Sequence, residues 1–322
     1  MNTDKFLLSH NDLDGYGCNF TAYRIDPNIR TLNVGYGDVE DRLSYIHNQV
    51  LNTGDVKTLY ITDLNFEEKH TISLYKMVKN YPNIKFYYID HHPYQTDRQE
   101  AVFNKLKEFN NFKMVHSEKY CASYLFYKFS LSNNLIEFDE AYDKFVSIID
   151  SYDTWKKESK YFKTGLLLND IFYKWMRQQG RFISYFSQHK KITQEIKDMM
   201  KDIMIEKKSI FQECEQTNRI VPFGKTLMAI VDDYVAHITI DYPEYLYYVN
   251  GRTYGSVSVR ISDLEENPKK IKDGVLEMLS TNPYVESAGG HDRAFGVTLS
   301  KEHKDKYLLV VQSIVEHLYQ YN

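Results

Sequence analysis

Three short clusters in this sequence hold the side-chain types that bind divalent cations. SHNDLDG (residues 9–15) sets one imidazole, His10, and two carboxylates, Asp12 and Asp14, at alternate positions just past an apolar run. Asp63 ends the apolar run TLYIT, and Asp90-His91-His92-Pro93 follows IKFYYI directly. Carboxylate and imidazole together suit Mn²⁺, whereas Mg²⁺ prefers oxygen donors. A lone acid such as Asp63, set between two such clusters, is the type of group that bridges a pair of cations about 3.5–4 Å apart. Each cluster also has a plainer reading. Turns are often rich in Asp and Asn, Asp63 could cap the helix that starts near Glu67, and His91 and His92 could be satisfied core histidines. Burying three groups such as Asp90, His91 and His92 is costly without partners, however.

The elements that carry these residues weigh against the plainer readings. KFLLSH is predicted as a first strand, followed by a Gly-containing turn over residues 14–17 and a helix from about Gly17 to Arg24. RTLNVGY reads as a second strand. Val39, Leu43 and Ile46 give DVEDRLSYIHNQV helical spacing. TLYITDL is the third strand, EEKHTISLYKMVKN a helix stopped at Tyr81-Pro82, and IKFYYID the fourth strand. Strands alternating with helices imply an α/β fold with a parallel sheet covered on both faces. Ligands bind at the carboxyl ends of such strands. His10, Asp12 and Asp14 follow the first strand, Asp63 the third, and Asp90 and His91 the fourth, so all three clusters fall on one sheet edge.

A chain of 322 residues is long for one core, and two lobes are expected. Residues 117–190 read as mostly helical and aromatic. Residues 191–216 form a long amphipathic helix without Gly or Pro, and a second, smaller α/β domain begins near residue 218. The expected division is therefore 1–190, a linker helix at 191–217, and 218–322. Asp150 and Asp153, in SIIDSYDTW, again follow an apolar run, and either could add a ligand; Asp170 reads as structural. In the second domain, SAGGHDRAFG (287–296) joins Gly289 and Gly290, whose N–H groups could cradle an anion, to His291 and Arg293, cationic donors for phosphate. It could equally be a glycine hairpin with charged flanks. Arg260, inside the strand-like SVSVRIS, needs an anionic partner, either a substrate phosphate or a structural acid.

Composition narrows the class. With 43% hydrophobic and 26% charged residues, the chain is ordinary for a soluble protein, and no run approaches the roughly 20 apolar residues of a membrane span. No secretory signal is read at the N-terminus. Three scattered cysteines, Cys18, Cys121 and Cys214, point to a reducing, cytoplasmic setting and away from a disulfide framework or a Cys-based zinc site. A net charge of −4 disfavours a binder of long duplex nucleic acid but permits a short oligonucleotide. Some of the 28 tyrosines could stack on bases.

Taken together, these motifs resemble the DHH phosphoesterase superfamily, in the branch with a DHHA1 C-terminal domain. His10-Asn11-Asp12-Leu13-Asp14-Gly15 is similar to its first motif, Asp63 to its second, Asp90-His91-His92 to its signature, and Asp150 or Asp153 to its fourth. Gly289-Gly290-His291 with Ala294 and Gly296 resembles the Gly-Gly-His motif of DHHA1, with Ala288 where the family usually has one more glycine. The opening SHNDLDGYGC resembles the oligoribonuclease B (nanoRNase B) type most. The resemblance implies a parallel-sheet catalytic domain, a DHHA1 domain that holds substrate, and two divalent cations, most often Mn²⁺, with Mg²⁺ or Co²⁺ as substitutes. It implies His10 and Asp12 on one cation, Asp14 and His91 on the other with Asp150 or else Asp153, and Asp63 bridging. His92 would sit near the leaving oxygen with Asp90 orienting the imidazoles. Arg260, Gly289, Gly290, His291 and Arg293 would grip the substrate. The implied activity is hydrolysis of short RNA to 5′-mononucleotides, the alternative being a phosphodiesterase or phosphatase for a cyclic or linear signalling nucleotide or 3′-phosphoadenosine 5′-phosphate. Homodimers are common in the family.

Overall fold

A computed structural model describes residues 3–176 and 180–321, with the side chains of Met176 and His291 outside the described part. The chain divides into two compact units, Met1–Met200 and Lys201–Asn322. That division falls between the two boundaries expected from the sequence, within a single long helix.

The first unit is built on a five-stranded sheet in the order β2-β1-β3-β4-β5, every pair parallel. Its strands are β1 (Lys5–His10), β2 (Arg30–Val34), β3 (Thr58–Thr62), β4 (Lys85–Asp90) and β5 (Phe112–His116). The helices are α1 (Leu13–Ile25), α2 (Val39–Tyr45), α3 (Glu68–Asn80), α4 (Asp97–Leu106), α5 (Ala122–Ser132), α6 (Glu140–Asp153), α7 (Phe162–Met176), α8 (Arg181–His189) and the long α9 (Gln194–Gln216), which crosses into the second unit. The strands read as continuous apolar runs because both faces are covered. Phe6 and Leu8 enter one core with Leu59, Ile61, Phe86 and Tyr88, closed by Leu43, Leu74, Met77 and Phe103 from α2, α3 and α4. Leu7, Tyr60 and Ile89 point the other way, into a core shared with Cys18 and Ala22 of α1 and Phe126 of α5.

One local expectation is corrected and one element is added. The turn expected over residues 14–17 is helix: α1 already begins at Leu13, because the Asp12 side chain accepts the Gly15 N–H at 3.0 Å and caps it. Gly15 is needed for closeness and not for a turn, since a Cβ there would lie 2.1 Å from the His10 carbonyl oxygen. The fifth strand, β5, was not read from the sequence; it is a short edge strand interrupted by the exposed Lys113.

The second unit holds a six-stranded sheet, order β10-β11-β9-β8-β7-β6, antiparallel except for the β7–β8 pair. Its strands are β6 (Ile220–Phe223), β7 (Thr226–Ile230), β8 (Tyr247–Arg252), β9 (Ser256–Ile261), β10 (Val285–His291) and β11 (Ala294–Leu299). Besides the short α10 (Ile238–Asp241), α11 (Pro268–Leu279) and α12 (Tyr307–Tyr319) bury Val275, Val311 and Ile314 against Val249, Val259 and Val297. Among the described residues no helix is long and apolar enough to cross a membrane.

Candidate metal centre

Three adjacent strands deliver the expected residues to one edge. His10 is the last residue of β1, Asp63 follows β3, and Asp90 ends β4 with His91 and His92 behind it. α1 brings Asp14, which is buried and spans to the N-terminus of α5, where it accepts the N–H groups of Ala122 at 2.7 Å and Ser123 at 2.9 Å. The C-terminal turn of α6 brings Asp153.

Asp63 is at the middle. Its backbone is left-handed, φ 55°, with its N–H donated to the Ile89 carbonyl at 3.1 Å. A non-glycine residue there costs on the order of 1–3 kcal/mol, strain of a kind that collects at functional sites. One oxygen, Oδ2, lies 4.0 Å from His10 Nδ1; the other, Oδ1, lies 3.5 Å from His91 Nε2. His91 Nε2 is also 3.4 Å from Asp153 Oδ2, and His10 Nδ1 is 2.8 Å from Asp12 Oδ2. The ligating atoms form compact groups: Asp63 with His10 and Asp12, Asp63 with Asp90, His91 and His92, and Asp14 with Cys121 and Asp153.

Electrostatics there favour cations. Burial first, then Asp12, Asp14 and Asp153, push the Asp63 carboxyl well above its usual range. Burial and Asp14 do the same to Asp153, with His91 opposing. Burial disfavours a charged His10, yet Asp12 more than offsets it and raises the imidazole; His91 is raised likewise by Asp153 and Asp14. Burial would also raise Asp12, but His10 holds it below the usual carboxylate range. Asp63 Oδ2 and Asp153 Oδ2 are buried and make no hydrogen bond. Buried polar atoms are ordinarily satisfied, and here two oxygens of the ligand type favoured by Mn²⁺ are left over, beside the imidazoles of His10 and His91. The donor set therefore fits divalent cations.

Asp90 is differently employed. Its Oδ1 accepts the His91 N–H at 2.8 Å and faces His92 Nδ1 at 2.8 Å, while Oδ2 accepts the Tyr88 hydroxyl at 2.8 Å. Although buried, Asp90 is held below its usual range by His92 and His91. A carboxylate can only accept, so His92 Nδ1 carries a proton. The ring's other nitrogen, Nε2, is 3.2 Å from the Tyr36 hydroxyl, and the Tyr36 ring lies over His10 with centroids 4.4 Å apart.

Asp150, weighed against Asp153 as a ligand, is turned elsewhere. Its Oδ1 accepts the Cys121 N–H at 2.8 Å and its Oδ2 pairs with Lys156 Nζ at 2.5 Å. Sequence reasoning overlooked Tyr36 and Cys121. Tyr36 was one tyrosine among many, and Cys121 was set aside because the cysteines are far apart in sequence.

In the second unit the expected anion cradle is a hairpin. Gly289 pairs with Gly296 and Gly290 with Phe295 in the β10–β11 ladder. Gly290 has φ 140°, and a Cβ there would lie 2.7 Å from the Ala294 carbonyl, so this glycine serves the hairpin. Arg293, expected to grip a phosphate, instead donates to the Ser262 carbonyl and, at 2.9 Å, to the Glu265 carbonyl. Arg260 lies half-buried in β9, opposite Tyr248 and Ala294. The His291 side chain lies outside the described part.

No protein-family model matches the chain. Over 171 residues it is 28% identical to oligoribonuclease NrnB of Bacillus subtilis, a match that covers 52% of this chain and 41% of that protein. The chain thus spans less than half the length of this curated relative. Among solved structures, it superposes on RecJ of Thermus thermophilus in complex with Mn²⁺ at a TM-score of 0.56 and 10% identity, covering 99% of this chain and 52% of RecJ. It also superposes on PggH of Vibrio cholerae, a pGpG-specific phosphodiesterase, at a TM-score of 0.51 and 13% identity, covering 96% and 98% of the two chains. The fold is the one shared with these two solved structures. In it the cation-type cluster sits where the parallel strands of the first unit end, and the second unit is a mixed sheet carrying helices.

Proposed function

We propose that the chain is a two-metal phosphodiesterase that hydrolyses short oligoribonucleotides to 5′-mononucleotides, with Mn²⁺ as its natural ion. Asp63 carries the reading. One carboxylate, strained and buried, turns one oxygen toward His10 and the other toward His91, as a bridge between two cation positions requires. His10 and Asp12 would hold one ion; Asp14, His91 and Asp153 would hold the other. The short match to an oligoribonuclease supports the choice of substrate.

When bound, two cations supply a water acidified to near neutral pH and offset charge on the phosphoryl oxygens. The remaining work falls to this chain. Asp90 fixes the His92 tautomer and compensates a cationic ring, so His92 Nε2 can give a proton to the departing oxygen. Tyr36 holds that nitrogen in place from the other side. Asp12, as cap of α1, and Asp14, pinned to α5, fix the carboxylates before any ion arrives. In the second unit, Arg260 and the exposed Gly289–Gly290 stretch, with His291, are proposed to hold the distal part of the substrate; the resemblance to the Gly-Gly-His motif supports this.

The test is a parallel assay with Mn²⁺ on di- to pentanucleotide RNA, a cyclic mononucleotide, a cyclic dinucleotide and 3′-phosphoadenosine 5′-phosphate. Turnover of the short RNAs is expected to dominate. No turnover of any RNA in that range would overturn the substrate assignment, and selective turnover of one of the others would replace it with the signalling-nucleotide reading. Asp63→Ala should abolish activity while leaving the protein folded.

A further inference from the structure

The second cation position contains a donor that the oxygen-and-nitrogen set above does not use. Cys121 is fully buried, and its Sγ lies within 4.8 Å of the ligating oxygens of both Asp14 and Asp153. The backbone that carries it is held by carboxylates. The Cys121 N–H is bound by Asp150, and the next two N–H groups, of Ala122 and Ser123, are bound by Asp14. This three-residue clamp holds the backbone at the start of α5, and the thiol itself meets Ser123 Oγ at 3.3 Å and the Asp14 carboxylate.

The pocket beside it still has unmet demand. Asp153 Oδ2, a member of the same group of ligating atoms, is buried without a hydrogen bond and lies 3.4 Å from His91 Nε2. Metal–sulfur bonds of about 2.3 Å and metal–oxygen bonds of about 2.0–2.2 Å put two ligand atoms up to roughly 4.5 Å apart. The ligating atoms of Asp14, Cys121 and Asp153 all lie within 4.8 Å of one another, close to the spread one ion can span.

We propose that Cys121 is a sulfur ligand of the second cation position, making it a mixed oxygen, nitrogen and sulfur site that prefers thiophilic ions such as Zn²⁺, Co²⁺ and Cd²⁺ to Mg²⁺. The inference rests on the two-metal reading above. On binding, the S–H bond gives way to a metal–sulfur bond and the proton leaves to bulk water, as for any coordinating thiol. Cys18, also buried, is not a member of this group of ligating atoms.

The experiment loads the full chain with Co²⁺ and records its absorption, with no substrate present. Wild type should show both visible ligand-field bands and the near-ultraviolet thiolate-to-cobalt charge-transfer band. Cys121→Ser and Cys121→Ala should lose the charge-transfer band and keep the ligand-field bands, and Cys18→Ser should keep both. By calorimetry, the two Cys121 variants should bind Cd²⁺ about tenfold or more weakly, with Mg²⁺ affinity little changed. Ligand-field bands without a charge-transfer band in wild type would overturn the sulfur ligand and leave the two-metal reading intact. A charge-transfer band that survives both Cys121 variants and vanishes in Cys18→Ser would reassign it. No Co²⁺ binding by wild type would sink the metal centre and this inference together. The wild-type spectrum is informative even if a variant fails to fold.

Discussion

Asp150 and Asp153 lie three residues apart on one helical turn but in different surroundings, so conservative substitution should separate them. Asp153→Asn removes a buried carboxylate whose Oδ2 has no hydrogen bond. Without cations this substitution should leave stability unchanged or raise it, because burial already disfavours the charged carboxylate and the amide keeps its shape. Asp150→Asn breaks the ion pair with Lys156 and sets an amide against its ammonium. A hydrogen bond to a charged group contributes about 1.5–3 kcal/mol, and the Lys156 side chain is 34% exposed, so about 1–2 kcal/mol is the screened expectation. For a unit of this size that lowers Tm by about 2–8 °C. Saturating Mn²⁺ acts the other way round. At about a hundred times Kd an ion adds about 2.7 kcal/mol, which Asp150→Asn should retain and Asp153→Asn should lose in large part. Thermal melts of the three proteins, in chelator and in excess Mn²⁺, measure all four differences. The reasoning fails if Asp150→Asn abolishes the Mn²⁺-induced rise while Asp153→Asn keeps it.

Other consequences follow from the same geometry. Asp63 and Asp153 have carboxyls raised in the fold, so their protonated forms stabilise it at low pH, and that contribution is lost as pH rises through the raised values. The Mn²⁺-induced rise in Tm should therefore be larger at pH 8 than at pH 5.5, and an equal rise at both would contradict this. His92→Ala should lower kcat by about 10²–10⁴ with Mn²⁺ affinity nearly unchanged, and Tyr36→Phe should lower it by a smaller factor; isothermal calorimetry alongside steady-state kinetics separates the two quantities. Gly15→Ala should displace the start of α1 from β1, because the new methyl meets the His10 carbonyl oxygen. Its expected signature is loss of Mn²⁺ binding together with a fall in Tm, and a variant that binds Mn²⁺ like wild type would show that α1 can shift at no cost to the site.

The apolar strands and the acids behind them were legible because a parallel sheet imposes both: unbroken apolar runs, and polar residues only where each strand emerges. What was not legible depended on contacts between segments far apart in sequence. β5 is a half-buried edge strand, and its pairing with β4 gives it away only in three dimensions. SIIDSYDTW offers two acids in equivalent local settings, and what sets Asp150 apart, Lys156 and the Cys121 N–H packed on it, lies outside that segment. The glycines of β10 have the composition of an anion loop, but the β11 partner strand turns them into a ladder. The side chain of Arg293 is likewise taken up by carbonyls of a turn some thirty residues earlier.

Local and global preferences agree through most of the first unit and part company at the metal centre. Asp63 is left-handed where a glycine would be easier, and it is a carboxylate in a place that disfavours its charge. Asp153 repeats the second fault. Asp14 and Asp90 each have both oxygens held by protein donors, which fixes them in place before any ion arrives. The division follows supply. Backbone N–H groups are available at the start of α5 and in the turn after β4, so acids placed there can be satisfied by the chain itself. Asp63 Oδ2 and Asp153 Oδ2 find no such donor, and a buried carboxylate oxygen without a hydrogen bond is a place where a cation gains by binding. The two cores that clasp the sheet supply the stability that lets these atoms stay unsatisfied until then.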